Sequence, residues 1–179
     1  DSGLHRLGFL PGARAAEEVY EISRLPCLEL QGVFSHFAIA DSADKSYSHW
    51  QHQRFADFVR QLTGQGLRFP LVHIANSAGI TDLPQYHYDA VRPGIVLYGC
   101  YASDQVRPLP GLKSVLSVKA QIVRLAEIPA GSFVSYGCIW QAQRDSVIAT
   151  LPLGYSNGVS RLLANNGEVL IGGRRLPLV

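Results

Sequence analysis

The sequence predicts an α/β region followed by a mainly antiparallel β-domain. Up to about Tyr101, short apolar stretches alternate with helical patterns, which is typical of parallel strands joined by helical crossovers. After about Pro110 the helical patterns stop, and glycines separate short strand-like stretches. The periodicity alone leaves two architectures open for the first region, part of a barrel or part of a doubly wound sheet.

The first region contains patterns for two helices and three strands. The helices are predicted at residues 11–24 and 45–62, and the second carries Phe55, Phe58 and Leu62 on one face. The strands are predicted at residues 28–34, 71–74 and 91–98, with Pro93-Gly94 interrupting the third. Asn76 and Ser77 follow the second strand as a helix cap.

The second region is predicted to be built from strands alone. These strands are expected at residues 115–125, 132–136, 146–151 and 168–171. Residues 102–111 contain two prolines and a glycine and have the composition of a linker. We therefore expect domains at residues 1–105 and 112–179.

The overall composition narrows the classes of partner and compartment. Hydrophobic residues make up 47% of the chain and the formal net charge is +2, which favours neither nucleic acid nor a membrane surface as a partner. The cysteines, Cys27, Cys100 and Cys138, are odd in number and widely spaced. This pattern predicts free thiols and a cytoplasmic location rather than a disulfide framework.

One pair of histidines has the spacing of metal ligands. His49 and His52 lie at positions i and i+3 of the second predicted helix. A further cysteine or histidine at ligand-like spacing is missing, so the polar face of a helix is the better interpretation, and no metal is predicted.

Several polar side chains lie near the predicted strand ends. They are Arg6, His36, Ser77 and Arg92. Each has an ordinary structural interpretation when it is taken singly: surface arginine, hydrogen-bonded histidine, helix cap or turn residue. In α/β barrels, however, the carboxyl ends of the strands form the active face.

Six segments that include these residues occur in order along the chain. They are DSGLHRLGF at 1–9, SHFAIAD at 35–41, HIANSAG at 73–79, RPGIVLYG at 92–99, SYG at 135–137 and LPLGY at 151–155. Together they resemble the motifs of the pyridoxal-phosphate-dependent alanine racemases. The resemblance implies the second half of a TIM-type α/β barrel, followed by an incomplete β-domain.

The resemblance assigns cofactor-binding roles to residues of the first region. Ser77 and the main-chain amides of Gly94 and Ile95 would hold the phosphate of pyridoxal 5'-phosphate. His36 would lie against the pyridine ring, and Arg92 would bond its nitrogen.

The resemblance also assigns roles towards the substrate. Arg6 would bind the substrate carboxylate, Tyr136 would be one of two bases that exchange the α-proton, and Tyr155 would line the entrance. Asn157 replaces the aspartate that is usual in the family, which removes a charge near the entrance.

The implied activity is interconversion of L- and D-alanine in the cytoplasm, which supplies D-alanine for a bacterial cell wall. The family works as a homodimer in which Tyr136 would reach the cofactor site of the partner subunit. A serine or broad-specificity racemase, a non-racemase barrel that carries the same cofactor, and a binding or structural module remain as alternatives.

The ends of the sequence lead us to expect a fragment. The chain contains no methionine, begins at Asp1 and stops at Val179 within an apolar run. The family's cofactor-binding lysine and an often carbamylated lysine belong before Asp1, and a substrate-binding methionine and a phosphate-binding tyrosine belong after Val179. Residues 1–179 alone are therefore expected to be inactive.

Overall fold

The computed structural model describes all residues from Asp1 to Val179 and shows two compact units. The first unit is Asp1–Leu116 and the second is Ser117–Val179. None of the helices combines the length and the apolarity that a membrane span needs.

The first unit contains a parallel strand pair with a helical crossover, as the sequence predicts. Its elements in chain order are α1 (Ala13–Ser23), β1 (Gly32–Phe34), α2 (Ser46–Gly64), β2 (Leu71–His73) and α3 (Ser77–Asp82). Strands β1 and β2 are parallel, with Gly32 opposite Leu71 and Phe34 opposite His73. The predicted α1 and α2 are confirmed to within about two residues at each end.

Helix α2 joins the two apolar clusters of this unit. Phe55 lies in the larger cluster, and Phe58 and Leu62 lie in the smaller one with α1. The larger cluster comprises Phe37, Ala40, Phe55, Ile74, Ala78, Leu83 and Val106. The predicted apolar face of α2 is therefore the face that packs.

A polar network attaches the segment after α3 to this unit. Lys45 Nζ donates to Asp82 Oδ2 at 2.6 Å and to the Ala40 carbonyl at 2.7 Å, and the Arg107 amide donates to Asp82 Oδ1 at 3.0 Å. Burial acts to raise the pKa of Asp82, but these hydrogen bonds and the Lys45 charge bring it below its ordinary value. Part of the expected linker at residues 102–111 thus packs on the first unit, where Val106 is buried.

The third predicted strand, residues 91–98, is wrong. The chain forms a 3₁₀ turn at Ile95–Tyr98, which Gly99 ends in the left-handed conformation at φ 77°. Gly94 has φ −115° and ψ −100°, far from strand geometry. Its amide, like that of Val96, donates to the Ser77 hydroxyl oxygen, so neither amide is available to a strand ladder.

The second unit is antiparallel β, as predicted, and its only helical turns are short 3₁₀ segments. Strand β3 (Arg124–Ile128) pairs with β6 (Ser146–Thr150), and β4 (Phe133–Val134) pairs with β5 (Trp140–Gln141). Strand β7 (Glu168–Ile171) pairs with β8 (Arg174–Pro177).

One strand boundary in this unit differs from the sequence prediction, and two strands were not predicted. The strand expected at residues 115–125 begins only at Arg124, and β5 and β8 were missed. Strand β8 follows β7 through Gly172 and Gly173, whose φ angles are 55° and 78°. Two consecutive residues with positive φ are the requirement of a tight type I′ hairpin, which explains the glycine pair.

Replacing Leu62 by alanine should lower the free energy of unfolding by about 2–5 kcal/mol, because it leaves a cavity between α1 and α2. Leu62 is 1% exposed. Leu28, which is 55% exposed, gives the matched control, and Leu28→Ala should change stability by about 0.5 kcal/mol or less. Chemical denaturation of both variants measures the difference, and equal effects would contradict the packing described.

Candidate functional site

Polar residues collect at the carboxyl ends of β1 and β2. Ser35 and His36 follow β1, and Ile74 follows β2. Because the two strands are parallel, both segments leave the sheet at the same edge. The last sheet-like bond runs from the Ser35 amide to the His73 carbonyl at 3.2 Å.

Arg92 connects these two strand ends. Its Nη2 donates to the Ser35 carbonyl at 2.7 Å, to His36 Nδ1 at 3.1 Å and to the Ile74 carbonyl at 3.4 Å. Its Nη1 contacts His73 Nδ1, and the His73 ring stacks on Phe34 at 5.2 Å. The guanidinium is therefore held on several sides.

These bonds also determine the state of the two histidines. A guanidinium only donates, so Nδ1 of His36 and of His73 must accept, which leaves the proton of each neutral ring on Nε2. Burial, then the charges of Arg92 and Arg6, lower the pKa of His36. Burial and Arg92 likewise lower the pKa of His73, with Asp89 opposing them. Both rings are consequently neutral at pH 7.

Ser77 lies beside a main-chain segment that suits a bound anion. Its Oγ accepts hydrogen bonds from the Gly94 amide at 2.8 Å and from the Val96 amide at 3.4 Å. A Cβ atom built on Gly94 would meet only Ser77 Oγ within 4 Å, at 3.6 Å. The main chain at Gly94 is thus open, and a hydroxyl and two amides converge where a phosphate oxygen could take their hydrogen bonds.

The segment that carries Arg6 is folded by local contacts. Asp1 Oδ1 accepts from the amides of Gly3 at 3.0 Å and His5 at 2.9 Å, and Tyr47 donates its hydroxyl to the Gly3 carbonyl at 2.9 Å. Arg6 is exposed, and its charge contributes to the lowered pKa values of His36 and Arg92. The charge of Arg6 therefore acts on His36 in the same direction as that of Arg92.

Tyr136 is presented by the second unit on a strained turn. Its side chain is 79% exposed, and it begins the 3₁₀ turn Tyr136–Cys138. Ser135 and Cys138 have positive φ angles of 68° and 51°, which are uncommon for residues with side chains. Such strain is frequent at functional positions, so the turn itself supports a role for this tyrosine.

Tyr155 begins another short turn of the second unit, Tyr155–Asn157. The Arg161 guanidinium carbon lies 5.6 Å from the centre of its ring. Asn157 Oδ1 accepts from the Gly154 amide at 3.1 Å, so this side chain closes the turn.

The site contains residues that the sequence did not single out. His73 contacts Arg92 and Val96 contacts Ser77 directly, and Gln51 of α2 donates to the His36 carbonyl. His73 had a usable signal, because it ends the second apolar strand in the way that His36 follows the first. Gln51 had none, since a glutamine within a polar helical pattern is unremarkable.

The alternative metal pair on α2 has other partners. His49 Nδ1 lies 2.8 Å from the Tyr86 hydroxyl, and His52 Nε2 lies 2.6 Å from the Tyr88 hydroxyl. The His52 ring also stacks on Tyr86 with a centroid distance of 3.7 Å. These contacts explain both histidines as packing and hydrogen-bonding residues.

A parallel strand pair with polar residues at its carboxyl edge, followed by an antiparallel β unit, places the chain among α/β proteins with an attached β-domain. The N-terminal domain of the alanine racemase family matches residues 1–102, and its C-terminal domain matches residues 115–179. The chain belongs to the alanine racemase family, and its fold is part of the family's α/β barrel followed by the β-domain.

Individual relatives agree along the whole chain. Alanine racemase 2 of Caldanaerobacter subterraneus subsp. tengcongensis is 45% identical over 179 residues, which are 100% of this chain and 46% of that protein. The alanine racemase of Clostridium novyi is 42% identical over 180 residues, 100% of this chain and 46% of that protein. The chain therefore spans about half the length of the curated relatives it matches.

Solved structures agree in fold. The alanine racemase of Clostridium difficile 630 superposes with a TM-score of 0.85 at 33% identity, over 100% of this chain and 47% of that one. The alanine racemase of E. faecalis superposes with a TM-score of 0.89 at 29% identity, again over 100% and 47% of the two chains.

Replacing Arg92 by methionine should raise the pKa of His36, because a neighbouring positive charge that disfavours the imidazolium is removed. Arg92→Lys is the matched control, since it keeps the charge and should keep the pKa below that of Arg92→Met. NMR titration of the His36 ring measures both. An unchanged or lower pKa in Arg92→Met would show that the two side chains are not in contact in solution.

Proposed function

We propose that the protein containing this chain is an alanine racemase that interconverts L- and D-alanine with pyridoxal 5'-phosphate. The observation that carries the proposal is the cluster at the strand ends. There Arg92 holds a neutral His36, and the Ser77 hydroxyl lies beside the open main chain of Gly94. The names of the relatives support the same activity.

The residues at this edge fit the cofactor. Ser77 and the amides of Gly94, Ile95 and Val96 would hold its phosphate, and His36 would pack against its ring. When bound, pyridoxal phosphate withdraws electrons from the substrate Cα and so acidifies the α-proton. Arg92 would donate a hydrogen bond to the pyridine nitrogen without giving up a proton, because a guanidinium stays charged at working pH. The ring nitrogen would then stay largely unprotonated, which would limit the electron withdrawal and favour return of the proton over transamination.

The proposal assigns three residues of the chain to the substrate. Arg6 pairs with the substrate carboxylate. Tyr136 removes or returns the α-proton as phenolate and phenol, and Tyr155 lines the entrance. A free tyrosine has a pKa of about 10, so the phenolate needs cationic neighbours such as Arg6.

A homodimer explains how Tyr136 meets the cofactor site. In the proposed assembly the β-domain of one subunit covers the barrel mouth of its partner, so each site uses Tyr136 of the partner subunit. The exposure of Tyr136 supports this arrangement. The second base is the family's cofactor-binding lysine, which none of the matched motifs in this chain contains, and the proposal requires it elsewhere in the complete protein.

The cysteines bear on the compartment, and the second unit bears on the alternative activities. All three cysteines are free and exposed, which supports a reducing cytoplasm. A cofactor-carrying barrel without racemase activity would leave the second unit and Tyr136 unexplained. Asn157 is the residue that departs from the family motif and could therefore bear on a preference for serine. Its side-chain oxygen accepts from the Gly154 amide within its own turn, so this hydrogen bond gives no support to a serine racemase.

The direct test uses the complete protein with added pyridoxal phosphate. It should show the absorbance of a lysine-bound cofactor and should racemise alanine from either enantiomer with exchange of the α-hydrogen for solvent deuterium. Parallel assays with serine measure the preference. Cofactor binding without α-hydrogen exchange would favour the non-racemase barrel, and absence of cofactor binding would refute the proposal.

Replacing Ser77 by alanine should weaken pyridoxal phosphate binding by about tenfold or more, the effect of losing a hydrogen bond to a charged group. Ser23→Ala gives the control, because the Ser23 hydroxyl is exposed and bonds only the Tyr20 carbonyl of α1. Absorbance titration of the cofactor-free protein measures both dissociation constants. Equal constants for the two variants would remove Ser77 from the phosphate site.

Replacing Tyr136 by phenylalanine should slow racemisation in both directions by about 10² to 10⁴ while cofactor binding persists, since a general base is lost but no cofactor contact. Tyr20→Phe, on the outer helix α1, should leave the rate unchanged. Racemisation rates by polarimetry or coupled assay give the comparison, and a Tyr136→Phe rate within a factor of about two of the unsubstituted enzyme would rule out the base role.

Mixing the Tyr136→Phe protein with a variant of the cofactor-binding lysine tests the shared site. A heterodimer would hold one site with both defects and one with neither, so activity should return. Heterodimers that form without recovering activity would show that each site uses residues of one subunit only.

A further inference from the structure

Helix α2 carries a glutamine that is completely buried and points at the strand ends. Gln51 is 0% exposed. Its Oε1 accepts from the Ala38 amide at 2.8 Å, and its Nε2 donates to the His36 carbonyl at 3.2 Å. A buried amide is costly unless it is hydrogen-bonded, and here each end of the side chain has a main-chain partner.

The main chain that Gln51 holds lies beyond the sheet. The strand ladder ends with the Ser35 amide, so His36 and the residues after it have no neighbouring strand to fix them. Gln51 supplies bonds on either side of Phe37, and Asn76 Nδ2 donates to the Phe37 carbonyl at 3.3 Å. The side chains of Gln51 and Asn76 therefore supply the hydrogen bonds that a neighbouring strand would otherwise make to this segment.

The helix also supports the neighbouring loop. Tyr47, one turn before Gln51, donates to the Gly3 carbonyl at 2.9 Å. Gly3 has φ +145°, and a Cβ there would come within 2.9 Å of Tyr47 and Trp50 atoms and 3.2 Å of Gln51 Cγ. The Arg6 segment therefore lies directly against the same turn of α2.

We propose that Gln51 is a positioning residue, whose side chain fixes the His36 main chain so that the imidazole stays against Arg92. Its meaning for catalysis rests on the proposed function, because His36 matters there as the residue that packs on the cofactor ring. The positioning itself concerns only residues of this chain. Removing the Gln51 amide frees the main chain at His36 and lets the ring move away from Arg92 towards solvent.

The test uses the complete protein with Gln51→Leu, which keeps the approximate size and removes both hydrogen bonds. In the cofactor-free protein, NMR titration should show the pKa of His36 moving up towards 6.5, since burial and then the charges of Arg92 and Arg6 are what lower it. Affinity for pyridoxal phosphate should fall by about fivefold, because a displaced His36 ring would pack less closely on the cofactor ring.

Gln53→Leu is the matched control on the same helix. Its side chain is exposed and bonds only Asp57, so neither the pKa of His36 nor the affinity for pyridoxal phosphate should change. If Gln51→Leu fails to fold, Gln51→Met takes its place. Its unbranched side chain has a similar length, carries no charge and makes neither hydrogen bond, and the same upward shift is expected.

The outcomes separate the two proposals. A pKa of His36 that is the same in Gln51→Leu and Gln53→Leu, whether shifted or not, overturns the positioning role. A protein that never binds pyridoxal phosphate refutes the proposed function, yet the His36 titration still decides the role of Gln51. Loss of thermal stability without a change in the His36 pKa also overturns the role, since it shows only that Gln51 supports the fold.

Discussion

The guanidinium of Arg92 bonds the first main-chain carbonyl after each of the paired strands, at Ser35 and Ile74. A partly buried cation needs such acceptors, and parallel strands provide them because their last carbonyls face the same edge. Once the charge is placed there, His36 and His73 must be neutral acceptors. The arrangement of the site follows from this one cation and the carbonyls it requires.

Much of the fold could be predicted because it depends on local patterns. The apolar face of α2 and the strand at Glu168–Ile171 are read directly from the spacing of their residues. The strand predicted at residues 91–98 was wrong because the apolar residues there are typical of a strand, whereas the amides of Gly94 and Val96 donate to Ser77. A hydrogen bond between positions so far apart in the chain has no local sequence signal. The paired strand β8 was missed for a related reason, because its two arginines hide its pattern.

The sequence predicted individual residues of the candidate site but not the contacts that hold them together. Motif resemblance named Arg92, His36 and Ser77, and these residues do lie at one sheet edge. The supporting role of Gln51 could not be predicted, because its side chain bonds main-chain atoms of another segment. Residues that donate to a backbone elsewhere in the chain are chosen by tertiary structure, and helix propensity does not reveal them.

The sequence distance between the bonded groups has a consequence for folding kinetics. Arg92 reaches residues 56 and 57 positions earlier in the chain, and it can do so only after β1 and β2 have paired around α2. Closing such long loops is slow relative to forming a helix, so we expect α2 to form early and the strand-end cluster to form among the last native contacts. During synthesis, the strand ends at Ser35 and His36 therefore lack their hydrogen bonds to Arg92 until the Arg92 segment has left the ribosome.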